Sequence, residues 1–154
     1  MFKKLLISGL LLLSFSVFAD TLQVGSTLSA IELNTQHGKS VKVANDVKTL
    51  IFSVEKAPSD LINSFLMKQD AKFLANNKAY FIADISRMPS MITKMFAIPK
   101  MKKRPYNILL AKNETQVAFI PRKKEFVSVL KIAGGKVTAV EFVNNVDQLA
   151  KAFK

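Results

Sequence analysis

The side chains able to do chemistry in this 154-residue chain are few, and one type is missing altogether: there is no cysteine. The thiolate is the working species in disulfide exchange, in cysteine peroxidases and in sulfur-ligated metal sites. All three are therefore excluded. His37 is the only histidine, and it falls in "QHGK", a turn sequence, without a second imidazole to form a metal cluster or to serve a serine nucleophile. No metal and no cofactor is expected. Glu55 and Asp60 flank the turn within "VEKAPSDLI", and Asp84 closes "AYFIAD". Carboxylates so placed are read as helix caps rather than as a general acid and base. Asp84 nevertheless falls near the carboxyl end of a strand, where open α/β sheets bind ligands. An enzyme is the disfavoured reading.

The cations are more informative. From Arg87 to Lys112 the chain carries Arg87, Lys94, Lys100, Lys102, Lys103, Arg104 and Lys112 with no acidic residue. Met88, Met91, Met95 and Met101 are interleaved with them. Methionine is unbranched and polarizable, which suits adaptable apolar contacts. At helical spacing the methionines are expected to pack on the sheet, with the lysines solvated. The tight cluster "KMKKR" (Lys100–Arg104) is read instead as a partner-binding loop, because clustered like charge repels itself and an acidic partner relieves that. Arg122, Lys123 and Lys124 in "PRKKE" are read as a solvated loop.

Compartment follows from residues 1–19. Lys3 and Lys4 begin the chain, "LLISGLLLLSFSVF" supplies an apolar stretch, and "VFA" puts small residues before Asp20. This is the pattern of a cleaved secretory signal peptide, and the bacterial periplasm is the expected destination. A lipoprotein would need a cysteine. With Lys3 and Lys4 set aside, 21 basic residues face 11 acidic ones, a net charge of +10. Outside the cytoplasm such a surface is expected to meet an acidic protein or an anionic envelope surface rather than nucleic acid. Residues 20–154 form one domain, long enough to stabilise itself by packing without disulfides.

The elements that must position these residues are legible from periodicity. "IELNTQHGKSVKV" alternates on both sides of Gly38 and predicts a β-hairpin. "TLIFSV" is a strand buried on both faces, and Pro58 marks the first turn of the helix that follows. Leu61, Ile62, Phe65, Leu66, Phe73 and Leu74 extend an apolar stripe toward "ANN". "AYFIADI" and "YNILLAK" are further strands, separated by a shorter helix capped by Ser86 and ended by Pro99. "FVSVLKIAGGKVTAVEFV" is a hairpin turning at Gly134-Gly135, and "NNVDQLAKAF" is a closing helix. The expected class is α/β: a central mixed sheet with an N-terminal hairpin, flanking helices, and a C-terminal hairpin plus helix.

Three stretches, "VGSTLSAIELNTQHGKSVKV", "LIFSVEKAPSDLI" and "KKRPYNILLAK", give the chain a resemblance to the thioredoxin-like superfamily in its peroxiredoxin and thiol-disulfide-oxidoreductase form. The resemblance places Ala57, Pro58, Ser59 and Asp60 on that family's Cys-x-x-Cys turn, so both sulfur positions are filled by residues without redox capacity. It also implies that Pro105 is the family's cis-proline and that Arg104 faces Ala57 and Asp60. On that basis Lys56, Arg104 and the backbone N–H groups of Ser59 to Leu61 could hold a small anion; such an anion site, or a non-redox enzyme using the same cleft, is the alternative to binding through the basic surface.

Overall fold

The computed structural model describes residues 20–154, and the expected signal segment lies outside them. Strands β1 (Glu32–Thr35) and β2 (Ser40–Lys42) form the first hairpin, antiparallel in the register Leu33↔Val41. Gly38 turns the chain between them at φ +79°, a left-handed conformation that costs glycine little. Strand β3 (Thr49–Ser53) leads into helix α1 (Lys56–Leu66), then a short helix α2 (Phe73–Asn76) and strand β4 (Ala79–Asp84). Next come α3 (Ser90–Ile92), a π-helical stretch (Thr93–Ala97) and α4 (Ile98–Lys102), which succeed one another without an intervening turn. Strand β5 (Leu109–Ala111), the hairpin β6 (Val127–Ala133) and β7 (Lys136–Val143), and helix α5 (Val146–Lys151) complete the domain.

All seven strands join one mixed sheet in the order β2-β1-β5-β4-β3-β6-β7. Strands β3, β4 and β5 are parallel neighbours taken in sequence, each step moving the same way across the sheet. Right-handed crossovers then place both helical connections on the same face. The packing agrees. Ile62, Phe65 and Leu66 of α1, with Ile98 and Met101 of α4, gather on the face that carries Ile51, Phe81 and Leu110. Phe65, Phe73 and Phe153 close this layer, with ring centroids 5.0–5.7 Å apart. Leu50, Phe52, Ile82 and Leu109 point to the other face, which is covered by irregular segments bearing Leu22, Ile31, Val47, Val117 and Ile120.

Three expectations shift. The apolar stripe of α1 stops at Leu66, and Phe73 and Leu74 belong to the separate α2. Asp70 accepts the Lys72 N–H at 2.8 Å, and this local turn competes with continued helix. The later helix begins at Ser90 rather than after Ser86, whose hydroxyl donates to Asp84 at 2.6 Å instead. Nor does Pro99 end it, since the helix runs on to Lys102. A proline there lacks the N–H owed to the turn before it and crowds the carbonyl four residues back. The wider π turn over Thr93–Ala97 sits just ahead of it and makes the room.

Candidate functional site

The junction between β3 and α1 is built to hold its shape. Ser53, buried at the end of β3, shares a hydrogen bond of 2.8 Å with the Ser59 hydroxyl, tying strand end to helix start. Glu55 is the N-cap residue, and its carbonyl accepts the Ser59 N–H at 3.2 Å. Ala57 and Asp60 are exposed, Ser59 is half-buried, and Pro58 is buried. Lys56 and Asp60 form an ion pair of 2.5 Å across one helical turn. Both side chains are solvated, so the pair contributes little.

The small-anion site drawn from sequence does not assemble. The helix starts at Lys56, so the Ser59 N–H is already bonded, and Lys56 is committed to Asp60. Arg104 and Pro105 are elsewhere. They precede β5, which runs parallel to β4 in the register Ile82↔Leu109, so they lie at the end of the sheet where the parallel strands begin. Pro105 lines a cavity there with Leu74, Ala79 and Tyr80. Ala57 follows the opposite, carboxyl end of β3. The Arg104–Pro105 bond is also not cis, as no described residue follows a cis peptide. The trans form is the intrinsic preference of such bonds by about 0.5–1 kcal/mol.

The segment that does face the turn is Glu125–Phe126. Strand β6 is antiparallel to β3, Phe52 opposite Ser128, and therefore starts where β3 ends. The Glu125 N–H donates to the Glu55 carboxylate at 2.5 Å. Glu125 itself is left-handed, φ +68°, a conformation that costs a non-glycine residue about 1 kcal/mol or more. Further bonds fix this loop: Ser128 donates to the Pro121 carbonyl at 2.6 Å, and the Phe126 N–H to the Lys123 carbonyl at 3.0 Å. Arg122 is held from three sides. It meets Asp84 at 3.2 Å, donates to the Val117 carbonyl at 3.1 Å and lies 5.2 Å from the Phe52 ring centre. The Asp84 carboxylate is fully buried, and its second oxygen accepts from the Ser86 N–H and hydroxyl. Asp84 is thus a positioning residue for Arg122, not a cap. The "PRKKE" segment is a loop exposed at Lys123, Lys124 and Glu125, as read, and it also forms a wall of a cleft. Sequence reasoning missed the cleft, because local pattern does not say that β6 lies antiparallel beside β3.

The basic run from Lys94 to Arg104 forms a second surface. Met88 and Met101 pack against the core as expected. Met91 and Met95 do not: they stand 68% and 62% exposed, beside Ile92 at 45% and Phe96 at 63%. Lys94, Lys100, Lys102 and Lys103 are exposed on the same stretch, and Arg104 is half-buried. Among the described residues none of these cations is in an ion pair. A ridge of methionine, isoleucine and phenylalanine side chains, edged by unneutralised positive charge, has been left facing solvent.

In overall shape the molecule matches solved peroxiredoxin and thiol-disulfide proteins. The peroxidoxin BcpB from Mycobacterium tuberculosis superposes with a TM-score of 0.56 at 18% identity, over 86% of this chain and 94% of that one. DsbE from Chlorobium tepidum, assigned as a thiol:disulfide interchange protein, gives 0.58 at 14% identity over 87% and 100% of the two chains. StoA from Bacillus subtilis gives 0.52 at 14% identity over 82% and 97%. The fold is thioredoxin-like. At the sequence level no protein-family model and no curated protein matches. The thioredoxin-like scaffold here carries no sulfur chemistry, since the turn that begins α1 reads Ala57-Pro58-Ser59-Asp60 and the chain has no cysteine.

Proposed function

We propose that this chain is a bacterial cell-envelope binding protein, a cysteine-free thioredoxin-like domain that docks on an anionic lipid surface through its α3–α4 ridge. It is exported by the signal sequence in residues 1–19 and acts without catalysing a reaction. The observation that carries this reading is the exposure of Met91, Ile92, Met95 and Phe96 in a segment whose only charged neighbours are cations. Large apolar side chains exposed together mark interaction sites. A helix that presents apolar groups and lysines side by side suits the boundary between headgroups and acyl chains. Each cation near an anionic leaflet adds about 1 kcal/mol, which falls away with salt. Lys100, Lys102 and Lys103 supply that term and the ridge supplies the insertion.

The test is sedimentation of the purified protein with vesicles. Binding is expected to vesicles containing phosphatidylglycerol and not to phosphatidylcholine alone, and to weaken as salt rises. Gln at Met91, Met95 and Phe96, or at Lys100, Lys102 and Lys103, is expected to abolish it without lowering thermal stability. Absence of vesicle binding overturns the lipid reading. If a salt-sensitive complex with a purified acidic envelope protein is then lost in the same variants, the ridge serves a protein partner instead.

A further inference from the structure

The cleft at the carboxyl end of β3 is independent of that ridge. It has a volume of about 330 Å³ and is lined by Glu55, Arg87, Arg122, Lys123, Lys124 and Phe126, with Phe52 and Val54 at its apolar side. Four cations face one carboxylate. The carboxylate of Glu55 is occupied by the Glu125 N–H. Arg87 shares its charge with Glu114 at 2.9 Å, and Arg122 shares its own with Asp84 behind the wall. Lys123 and Lys124 have no acidic partner among the described residues; Lys123 rests over the Phe126 ring at 4.2 Å. Two ammonium groups are therefore without an ion-pair partner against the one remaining carboxylate, Glu55, beside a guanidinium that donates to Asp84 and Val117 and is still 29% exposed.

We infer that this cleft binds a phosphate monoester, a dianion carried on a small apolar or aromatic body. The two unpaired ammonium groups argue for an anion with several acceptor oxygens, as a phosphate has, so that both can donate to it at once. Arg122 argues for an oxyanion, because its guanidinium lines the cleft, is fixed in advance by Asp84 and Val117, and remains partly exposed. The half-buried Val54 and Phe126 argue for a small apolar body on the ester. The loop that carries the cations is held by a left-handed glutamate and by bonds to Glu55, Asp84 and Ser128, so its shape exists before any ligand arrives. Preorganisation of this kind saves the ordering cost on binding.

Calorimetric titration at constant ionic strength tests this, with phenyl phosphate, inorganic phosphate and benzoate as probes. Phenyl phosphate is expected to saturate one site at least about tenfold more tightly than benzoate, with inorganic phosphate between them. Replacing both Lys123 and Lys124 with Gln is expected to weaken phenyl phosphate by about tenfold or more, at unchanged thermal stability. The charge-matched pair K102Q/K103Q, on the ridge, is expected to leave it within about twofold of the parent. Vesicles of phosphatidic acid separate the possible sources of the ester. Binding to them that is sensitive to Lys123 and Lys124, with no binding of the soluble ester, assigns the site to a lipid headgroup. Neither ligand binding saturably, or equal loss in both lysine pairs, overturns the inference.

Discussion

Arg122 and Asp84 show how one buried charge can position another. The Asp84 carboxylate is wholly enclosed, and its oxygens are satisfied by Ser86 and by a guanidinium that keeps one side in water. Removing either partner of an enclosed pair strands the other, which costs several kcal/mol, whereas removing both costs less than the sum. Replacing Arg122 with Met is expected to lower stability by about 2–4 kcal/mol in urea denaturation. Adding Asp84→Asn is expected to recover about 1–2 kcal/mol of that loss. Tyr106 makes a separate case. Its hydroxyl donates to Asn63 at 2.6 Å, and burial raises its pKa, opposed by the nearby Arg104 charge. The folded state thus holds the phenol proton more tightly than the unfolded chain does. Its contribution is complete below about pH 10, the unfolded value, and is lost as pH rises through the folded one. Stability is expected to fall above about pH 10, and less steeply in Y106F, when unfolding is followed by circular dichroism across that range.

Among the elements, the β6–β7 hairpin most directly couples sequence to shape. Gly134 and Gly135 both take positive φ, +57° and +75°, with nothing within 4 Å of where a Cβ would stand. Gly135→Ala should therefore cost only the backbone term, about 1–2 kcal/mol, readable as a lower thermal midpoint with the fold retained. Hairpins of this kind were legible because two glycines between alternating strands leave few other solutions. The buried strands, α1 and α5 were legible from their periodicity, and the Asn145 cap forms, its side chain accepting the Gln148 N–H at 2.9 Å. The site was legible only in half. Ala57 to Asp60 do begin a helix at the end of a central strand, as read. Which distant segment faces them depends on which strand lies beside β3 and in what direction. Pro105 precedes a parallel strand and Glu125 an antiparallel one, and local pattern does not distinguish these. Met91 and Met95 failed for a related reason. A helical stripe says that one face is buried, but the π turn over Thr93–Ala97 rotates the face that follows, so Ile98 and Met101 meet the core while Met91 and Met95 do not.

At the scale of the whole molecule, charge is the dominant property. With 21 basic and 11 acidic residues between 20 and 154, and exposed lysines on both the ridge and the cleft wall, the compact state repels itself. Screening relieves this within about 10 Å at 0.1 M salt. The thermal midpoint is expected to rise by a few degrees between about 0.01 and 0.3 M sodium chloride, and a flat response would count against it. The same field bears on the exposed Ala57, in the first turn of α1 near a cation-lined cleft. A chain without a single native sulfhydryl is a clean background on which to place one. An Ala57→Cys variant would carry one ionisable sulfur atom, and its titration would read the electrostatic potential that this scaffold retains at that spot. An ionisation well below that of a free thiol, about pH 8.5, would mean that the fold by itself favours a thiolate at that helix start.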